Sequence, residues 1–319
     1  MEALSTEHYN VIRSIREHLQ ACILGKTDEI DMMLTALLAG GHVLLEDVPG
    51  TGKTVLVKAL ARTIQGQFRR IQCNPDLLPT DITGVSIYHP KQEAFIFRPG
   101  PVMTNILLAD EINRATTKTQ SALLESMEER SMTVDGESYE LPVPFLLFAT
   151  QNPIDFEGTY SLPEAQLDRF MIKLGLGYPD AASELRMLQS QQSVHPLEGV
   201  EAVTGTQQIR EIQERVKQVH MDEAVADYLV NIIRSTRDHA SVLLGASPRA
   251  TIALFQAAKA YAAIKERNYV IPDDIKSLVP YVLGHRILLH TEARINGATV
   301  DSVLKGILEQ VRVPVRLER

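Results

Sequence analysis

The chain has little material for covalent cross-links, and it is poor in aromatic side chains. It contains two cysteines, Cys22 and Cys73, no tryptophan, and only 5% aromatic residues in 319. Two thiols make neither a disulfide framework nor a cysteine-rich metal cluster. This usage indicates a protein of a reducing, cytoplasmic compartment.

Long apolar runs and an excess of positive charge are also missing. No uninterrupted apolar stretch approaches the roughly 20 residues that span a bilayer, so we expect no membrane span. The polar, acidic start of the sequence shows no secretory pattern. A net charge of −8 argues against a general nucleic-acid-binding protein, although it does not exclude a local basic stripe.

Up to about residue 180, strand-like and helix-like segments alternate. The predicted strands are 42–46, 68–72, 105–110, 144–150 and 170–175, with helices at 55–65 and 116–129. Alternation of this kind predicts an α/β domain with a parallel sheet covered by helices. In such sheets, ligands bind at the carboxyl ends of the strands.

Two segments interrupt the alternation and are predicted to be hairpins. The first lies near 85–98, and the second lies near 131–141 with Asp135-Gly136 at its turn, a strong hairpin signal. Tyr88, Phe95 and Phe97 in the first hairpin either pack inward or are displayed to a partner, and inward packing is the default expectation.

After about residue 180 the pattern becomes helical throughout. The predicted helices are 205–219, 222–238, 248–267 and 272–283. Pro248 and Pro272 suit first-turn positions, and Ser247 suits an N-cap. We therefore expect two domains, 1–180 and 181–319, the second an all-helical lid, with the boundary between 180 and 200.

The strongest motif follows the first predicted strand. Residues 46–54 read Glu-Asp-Val-Pro-Gly-Thr-Gly-Lys-Thr. A glycine-rich turn between a strand and a helix gathers backbone N–H groups around an anion, and the helix N-terminus adds partial positive charge. Lys53 would reach the β- and γ-phosphates, and the Thr54 hydroxyl would ligate Mg²⁺. The strict pattern has glycine where Asp47 stands.

A second motif supplies paired acids. Residues 106–111 read Ile-Leu-Leu-Ala-Asp-Glu, an apolar strand that ends in two carboxylates. Asp110 would hold the magnesium shell, and Glu111 would orient the attacking water. The alternative, in which one acid only caps the following helix, loses weight beside a phosphate loop.

Three further polar residues are candidate site residues only because the two motifs are present. Asn152 follows the strand 145–150 and is placed to hydrogen-bond a catalytic water and a phosphate oxygen. Arg169 precedes the last strand, and Arg249 lies in the first turn of a predicted helix, where a cation opposes the helix dipole. A facing phosphate would remove that conflict, whereas the alternative for each arginine is a surface salt bridge.

With these motifs in place, the chain resembles the MoxR family of AAA+ ATPases from about residue 10 to its end. Asp47 is part of that family's version of the loop, so the departure supports the resemblance. The matching stretches are 44–54, 70–79 (Arg-Ile-Gln-Cys-Asn-Pro-Asp-Leu-Leu-Pro), 97–101 (Phe-Arg-Pro-Gly-Pro), 109–115, 124–130 (Leu-Glu-Ser-Met-Glu-Glu-Arg) and 162–170.

The resemblance implies an AAA+ P-loop NTPase core with a helical lid and a set of site residues. Lys53 and Thr54 match the Walker A motif, within a binding segment that also includes Gly50, Thr51, Gly52 and Val55. Asp110 and Glu111 match Walker B, Asn152 the first sensor, Arg249 the second sensor, and Arg169 the arginine finger, for which Arg114 and Arg130 are also candidates. Gly25, in Ile23-Leu24-Gly25, matches the adenine-contacting segment.

The implied protein is a Mg²⁺-dependent ATPase that works as a chaperone-like motor. The resemblance implies a homo-oligomeric ring, expected to be a hexamer, whose hairpins face the pore and whose partners carry von Willebrand A domains. ATP would lie between the two domains, and the lid would close on it through Arg249. A DNA-dependent motor, a chelatase-type motor subunit and a non-hydrolysing nucleotide-binding scaffold are the alternatives.

Overall fold

The computed structural model describes residues 4–152, 159–190, 197 and 199–314. The helices are α1 (Thr6–Cys22), α2 (Thr27–Ala39), α3 (Lys53–Thr63), α4 (Pro79–Thr83), α5 (Thr117–Glu129), α6 (Glu164–Leu167), α7 (Ala181–Ser190), α8 (Thr206–Val216), α9 (Glu223–Asp238), α10 (Pro248–Ile264), α11 (Pro272–Leu283), α12 (Thr291–Ile295) and α13 (Val300–Gln310). The strands are β1 (Val43–Glu46), β2 (Phe68–Gln72), β3 (Gly84–His89), β4 (Ala94–Pro99), β5 (Ile106–Asp110), β6 (Ser131–Val134), β7 (Glu137–Glu140), β8 (Leu146–Gln151), β9 (Ile172–Leu174), β10 (Val242–Leu244) and β11 (Leu288–Leu289).

Five strands form a parallel sheet in the order β2-β5-β8-β1-β9, which confirms all five predicted core strands. Strands β1, β5 and β8 are apolar and almost wholly buried, because helices cover both faces of the sheet. Alternate residues along β1 serve different cores. Val43 and Leu45 join the larger core with α1–α3, and Leu44 joins the core under α5.

Both predicted hairpins are present. Strands β3 and β4 pair antiparallel around a turn at 90–93, and β6 pairs with β7 around Asp135 and Gly136, both with positive φ. Inward packing is confirmed only for Phe97, which stacks on Tyr139. It is wrong for Tyr88 and Phe95, which are 49% and 74% exposed and contact each other edge to face. A two-stranded ribbon has no second layer, so one of its faces stays open.

The chain that follows the parallel sheet is mainly helical and forms a C-terminal lid. The four predicted helices are confirmed as α8 to α11, and Ser247 caps α10 by accepting a hydrogen bond from the Ala250 amide at 3.1 Å. The structure adds α7, α12, α13 and a short antiparallel pair, β10 with β11, which the sequence pattern did not predict. The polar run at 189–193 that marked the expected boundary lies partly outside the described residues.

The lid is tied to the first two helices. Helix α10 packs against α2, and the buried Asp31 of α2 accepts from Arg16 at 2.5 Å and from Lys265 at 2.9 Å. Together, Arg16 and Lys265 donate hydrogen bonds to both carboxylate oxygens of Asp31. A buried charge is tolerated only when it is paired and hydrogen-bonded in this way. Within the described part of the chain, no helix combines the length and apolarity of a bilayer span.

Candidate active site

A cavity of about 450 Å³ opens where the parallel strands end. It is lined by Asp47, Pro49, Gly50, Thr51, Gly52, Lys53, Thr54, Val55, Arg70, Gln72, Asp110, Glu111, Thr150, Gln151 and Asn152. The structure therefore brings the phosphate loop, the paired acids and Asn152 together, as the order of the motifs predicts. Gly25, Arg169 and Arg249 are not among the lining residues.

The loop between β1 and α3 has the backbone of an anion cradle. Gly50 and Gly52 both have φ of +87°, a conformation that side chains other than glycine rarely adopt. Lys53 opens α3, so its neighbouring amides point from a helix N-terminus into the cavity. The Lys53 ammonium donates to the carbonyl oxygen of Val48 at 2.6 Å and to that of Asp47 at 3.3 Å. It is therefore folded onto its own loop.

Asp47 explains why this loop departs from the strict glycine pattern. Its Oδ1 accepts from the Val48 amide at 2.8 Å, and its Oδ2 accepts from the amides of Leu176 at 3.0 Å and Gly177 at 2.9 Å. The carboxylate thus joins the start of the phosphate loop to the chain that leaves β9 for the lid. Asp47 does not have a positive φ, so glycine is not required there.

The two acids at the end of β5 are held differently. Asp110 Oδ1 accepts from the Thr150 hydroxyl at 2.5 Å, and Oδ2 accepts from Arg70 Nη2 at 2.5 Å. Glu111 has φ of +55°, a left-handed conformation that costs a non-glycine residue about 1–3 kcal/mol. Its amide is anchored on the Thr150 hydroxyl at 2.8 Å. Strain of this kind is typical of functional sites.

Glu111 is also restrained through its side chain. Gln72 Nε2 donates to Glu111 Oε2 at 3.0 Å, and Arg114 Nε lies 3.3 Å from the same oxygen. Arg70 in turn donates to Gln72 Oε1 at 2.9 Å, so one network links both acids to β2. The Glu111 carboxylate, which would polarise the attacking water, is thus held by Gln72 and Arg114 of the same chain.

The buried Cys73 lies beside these acids, and its amide donates to the Asp110 carbonyl at 2.9 Å. Burial, with the charges of Asp110 and Glu111, raises the pKa of its thiol to about 12. The thiol therefore stays neutral and acts as apolar packing under the site.

The donor set suits Mg²⁺. The Thr54 hydroxyl and the Asp110 carboxylate are hard oxygen ligands, and Asp110 already accepts a cationic partner in Arg70. Among the residues that the structure describes, no group of three or more His, Cys, Asp or Glu side chains could hold a metal alone. Phosphate oxygens and water would complete the shell, as is usual for magnesium at nucleotide sites.

The two predicted arginines form a separate cluster. Arg169 Nη2 lies 3.0 Å from one oxygen of Glu128, and Arg249 Nη2 contacts the other oxygen. The Glu128 carboxylate therefore faces Arg249 in the first turn of α10. Arg249 does not line the cavity around the phosphate loop, and its role toward a nucleotide stays a prediction.

The remaining sequence candidates have partners within the chain. Arg114 pairs with Glu111, and Arg130 donates to the carbonyl oxygen of Gly40 at 2.9 Å. Gly25 has φ of +74°, and a side chain there would meet the Ser183 hydroxyl at 2.4 Å. Its segment is still close to the loop, because a Cβ on Gly52 would lie 3.7 Å from Ile23.

Two family models match the chain. The ATPase family associated with various cellular activities (AAA) matches residues 42–172, which hold the sheet and the cavity. The AAA lid domain matches residues 234–307, within the helical region.

Relatives match over nearly the whole length. The YeaC protein of Bacillus subtilis is 53% identical over 94% of both chains, and Chaperone MoxR1 of Mycobacterium tuberculosis is 41% identical over 98% of this chain and 85% of its own. Protein MoxR of Methylorubrum extorquens is 29% identical over 98% of both. A crystal structure from Cytophaga hutchinsonii is 38% identical, with a TM-score of 0.89 over 96% of both chains. The chain therefore belongs to the MoxR family of AAA+ ATPases.

Proposed function

We propose that this chain binds Mg·ATP in the cavity and hydrolyses it to ADP and phosphate. The observation that carries the proposal is the placement of a glycine-rich loop at a helix N-terminus directly beside Asp110 and Glu111. Such a cavity offers amides for the phosphates, oxygen ligands for the metal and a carboxylate for water. Those are the parts that phosphoryl transfer to water needs.

Each residue has one task in this proposal. Amides of the loop hold the phosphates, and Lys53 leaves the Val48 carbonyl to reach the β- and γ-phosphates. Glu111 leaves Gln72 and orients the attacking water, which Asn152 also contacts. Thr54 and Asp110 would hold Mg²⁺, which when bound neutralises charge that develops on the phosphate oxygens.

Arg169 and Arg249 complete the site from the adjacent subunit. Because one carboxylate binds both guanidinium groups, they lie side by side, and both lie away from their own cavity. An arginine that stabilises charge on a transferring phosphate can be supplied by a second protein chain. Hydrolysis would therefore need assembly into a ring, for which a hexamer is our expectation.

Motion of the core, 1–180, relative to the lid, 181–319, would be passed to a client protein through the hairpins. Tyr88 and Phe95 on the β3–β4 hairpin give it an exposed aromatic surface. The chaperone naming of the Mycobacterium tuberculosis relative agrees with such a role. Partners with von Willebrand A domains, which the resemblance implies, belong to the same proposal.

Phosphate release from Mg·ATP by the purified chain tests the proposal. Lys53→Ala should lose ATP binding, because Lys53 is the one lysine among the described residues that line the cavity. Lys58→Ala is the matched control, since Lys58 lies on the same helix but over the ring of Phe68. Equal ATP affinity in Lys53→Ala and the wild type would contradict the proposal.

A further inference from the structure

Glu128 binds the two arginines that sequence comparison with the family singles out separately. It lies in the last turn of α5, whereas Arg169 follows α6 in the core and Arg249 lies in the first turn of α10 in the lid. Each guanidinium uses Nη2 on a different oxygen of this one carboxylate. Neither arginine therefore has the bidentate pairing that guanidinium and carboxylate groups favour.

The helix dipoles show that these charges are not placed for local stability. Glu128 stands at the negative end of α5, and Arg249 stands at the positive end of α10. Each charge disfavours its own helix. The contact between Glu128 and Arg249 offsets the unfavourable charge at both helix ends, and it joins the core to the lid.

The backbone beside the two arginines is fixed as well. The Ser247 hydroxyl donates to Asp168 Oδ2 at 2.8 Å, and Arg286 Nε donates to Asp168 Oδ1 at 2.7 Å. Asp168, next to Arg169, is thus bonded to Ser247, two residues before Arg249, which restrains the backbone segments that carry the two arginines.

The cluster has an unmatched positive charge. Among the residues that the structure describes, the ion pairs of Arg169, Arg249 and Arg286 are with Glu128 and Asp168 alone. The Arg169 Nε is buried and has no hydrogen-bond partner within the described ranges of the chain. An additional anion would balance the charge, and a phosphate of the adjacent subunit's nucleotide has the right chemistry.

We propose that Glu128 is a positioning residue for ATP hydrolysis in the adjacent subunit. Its carboxylate holds Arg169 and Arg249 side by side, so that their remaining N–H groups reach one phosphate together. Without it, two like charges would repel each other, and their donors would lose a common geometry. The inference rests on the proposed function, because it presupposes that these arginines act across the subunit interface.

A mixing experiment separates this role from a structural one. Acceptor subunits carry Arg169→Ala and keep an intact loop, whereas donor subunits carry Lys53→Ala and supply only the arginines. The donor should restore hydrolysis, and a Lys53→Ala/Glu128→Gln donor should restore roughly ten- to a hundredfold less, because small misplacements of this kind cost about 10² in rate. The KM for ATP should not change, since the acceptor binds it.

The matched control donor carries Lys53→Ala with Glu125→Gln. Glu125 is an exposed acid on the same helix, and this donor should restore as much as Lys53→Ala alone. Sedimentation should show that all mixtures assemble equally. A Lys53→Ala/Glu128→Asp donor provides a second measurement, because its shorter carboxylate cannot reach both guanidiniums and should restore severalfold less than the parent donor.

The outcomes are distinct. If the Lys53→Ala/Glu128→Gln donor restores as much hydrolysis as the Lys53→Ala donor, the inference is overturned, whereas the action of the arginines across the interface is not. Where that donor does not assemble, the same result with the Lys53→Ala/Glu128→Asp donor overturns the inference. No restoration by the Lys53→Ala donor overturns the interfacial action itself, and this inference with it.

Discussion

The carboxylate of Asp47 accepts a hydrogen bond from the amide of Gly177 at 2.9 Å, across 130 residues of sequence. This contact joins the phosphate loop to the connection that leaves the last strand for the lid. A change of loop conformation on nucleotide binding would therefore act directly on that connection. This hydrogen bond provides a structural explanation for the aspartate in the family's loop, which the motif alone does not provide.

Replacing Asp47 by alanine should destabilise the chain and weaken ATP binding. Three amides would lose their acceptor, and hydrogen bonds to charged groups are worth about 1.5–3 kcal/mol each when buried, so we expect a loss of about 1–3 kcal/mol at this half-buried site. Urea unfolding and titration with a fluorescent ATP analogue measure both effects. Asp76→Ala, at an exposed loop position, is the control, and equal stability of the two variants would contradict the bridging role.

Arg70→Gln should lower the Mg²⁺ concentration that ATP binding needs. Arg70 Nη2 donates to Asp110 Oδ2 at 2.5 Å, and both residues line the cavity, so a metal at Asp110 would compete with the guanidinium. Binding of a fluorescent ATP analogue during a Mg²⁺ titration reports this shift without turnover. Arg69→Gln on the same strand is the control. A uniform loss of ATP affinity at all Mg²⁺ concentrations would instead make Arg70 a nucleotide ligand.

Sequence patterns did not single out Arg70, Gln72 and Thr150 as site residues. Their positions at the ends of neighbouring strands nevertheless indicated a place near the site. Gln72 stands opposite Asp110 in the parallel register, and Thr150 precedes the last residue of β8. Carboxyl ends of neighbouring parallel strands meet at one edge, so any polar residue there is a candidate. Strand boundaries and loop motifs were predictable because apolar runs and glycines are local signals.

The Glu128 cluster could not be predicted in the same way. Its members come from α5, the segment after α6 and the first turn of α10, and only tertiary packing brings them together. The exposure of Tyr88 and Phe95 was likewise mispredicted, because composition does not show whether a hairpin has a layer above it.

Acid should destabilise the fold through His42. Its ring accepts from the Leu147 amide at Nδ1, and burial, despite its bond with the Met127 carbonyl, lowers its pKa from 6.5 to about 4. Between these values the unfolded chain binds more protons, so stability is fully present above about pH 6.5 and falls toward pH 4, by about 3 kcal/mol from this residue. The buried His285, whose pKa burial also lowers, acts in the same direction.

Urea unfolding of the wild type and of His42→Gln, at neutral pH and at about pH 5, measures this contribution. The variant should lose less stability on acidification, because its side chain does not titrate. Parallel losses in the two proteins would show that His42 is not responsible.

Replacing both Tyr88 and Phe95 by serine should leave folding and basal hydrolysis intact but impair client contact. Exposed substitutions change stability by about 0.5 kcal/mol or less. We expect the double variant to protect an unfolded model protein, such as reduced lactalbumin, from aggregation less well than the wild type. Phe97→Ser is the contrast, since Phe97 stacks on Tyr139 at 4.1 Å and its loss should lower stability. Undiminished protection by the double variant would remove the hairpin from client binding.

The central claim is that ATP is cleaved beside Glu111, and a paired measurement of binding and phosphate release in Glu111→Gln tests it most directly. The variant should bind Mg·ATP at least as tightly as the wild type, because the loop and Asp110 are intact, while release of phosphate should nearly cease. Glu125→Gln should behave as the wild type. Wild-type turnover in Glu111→Gln would contradict the account.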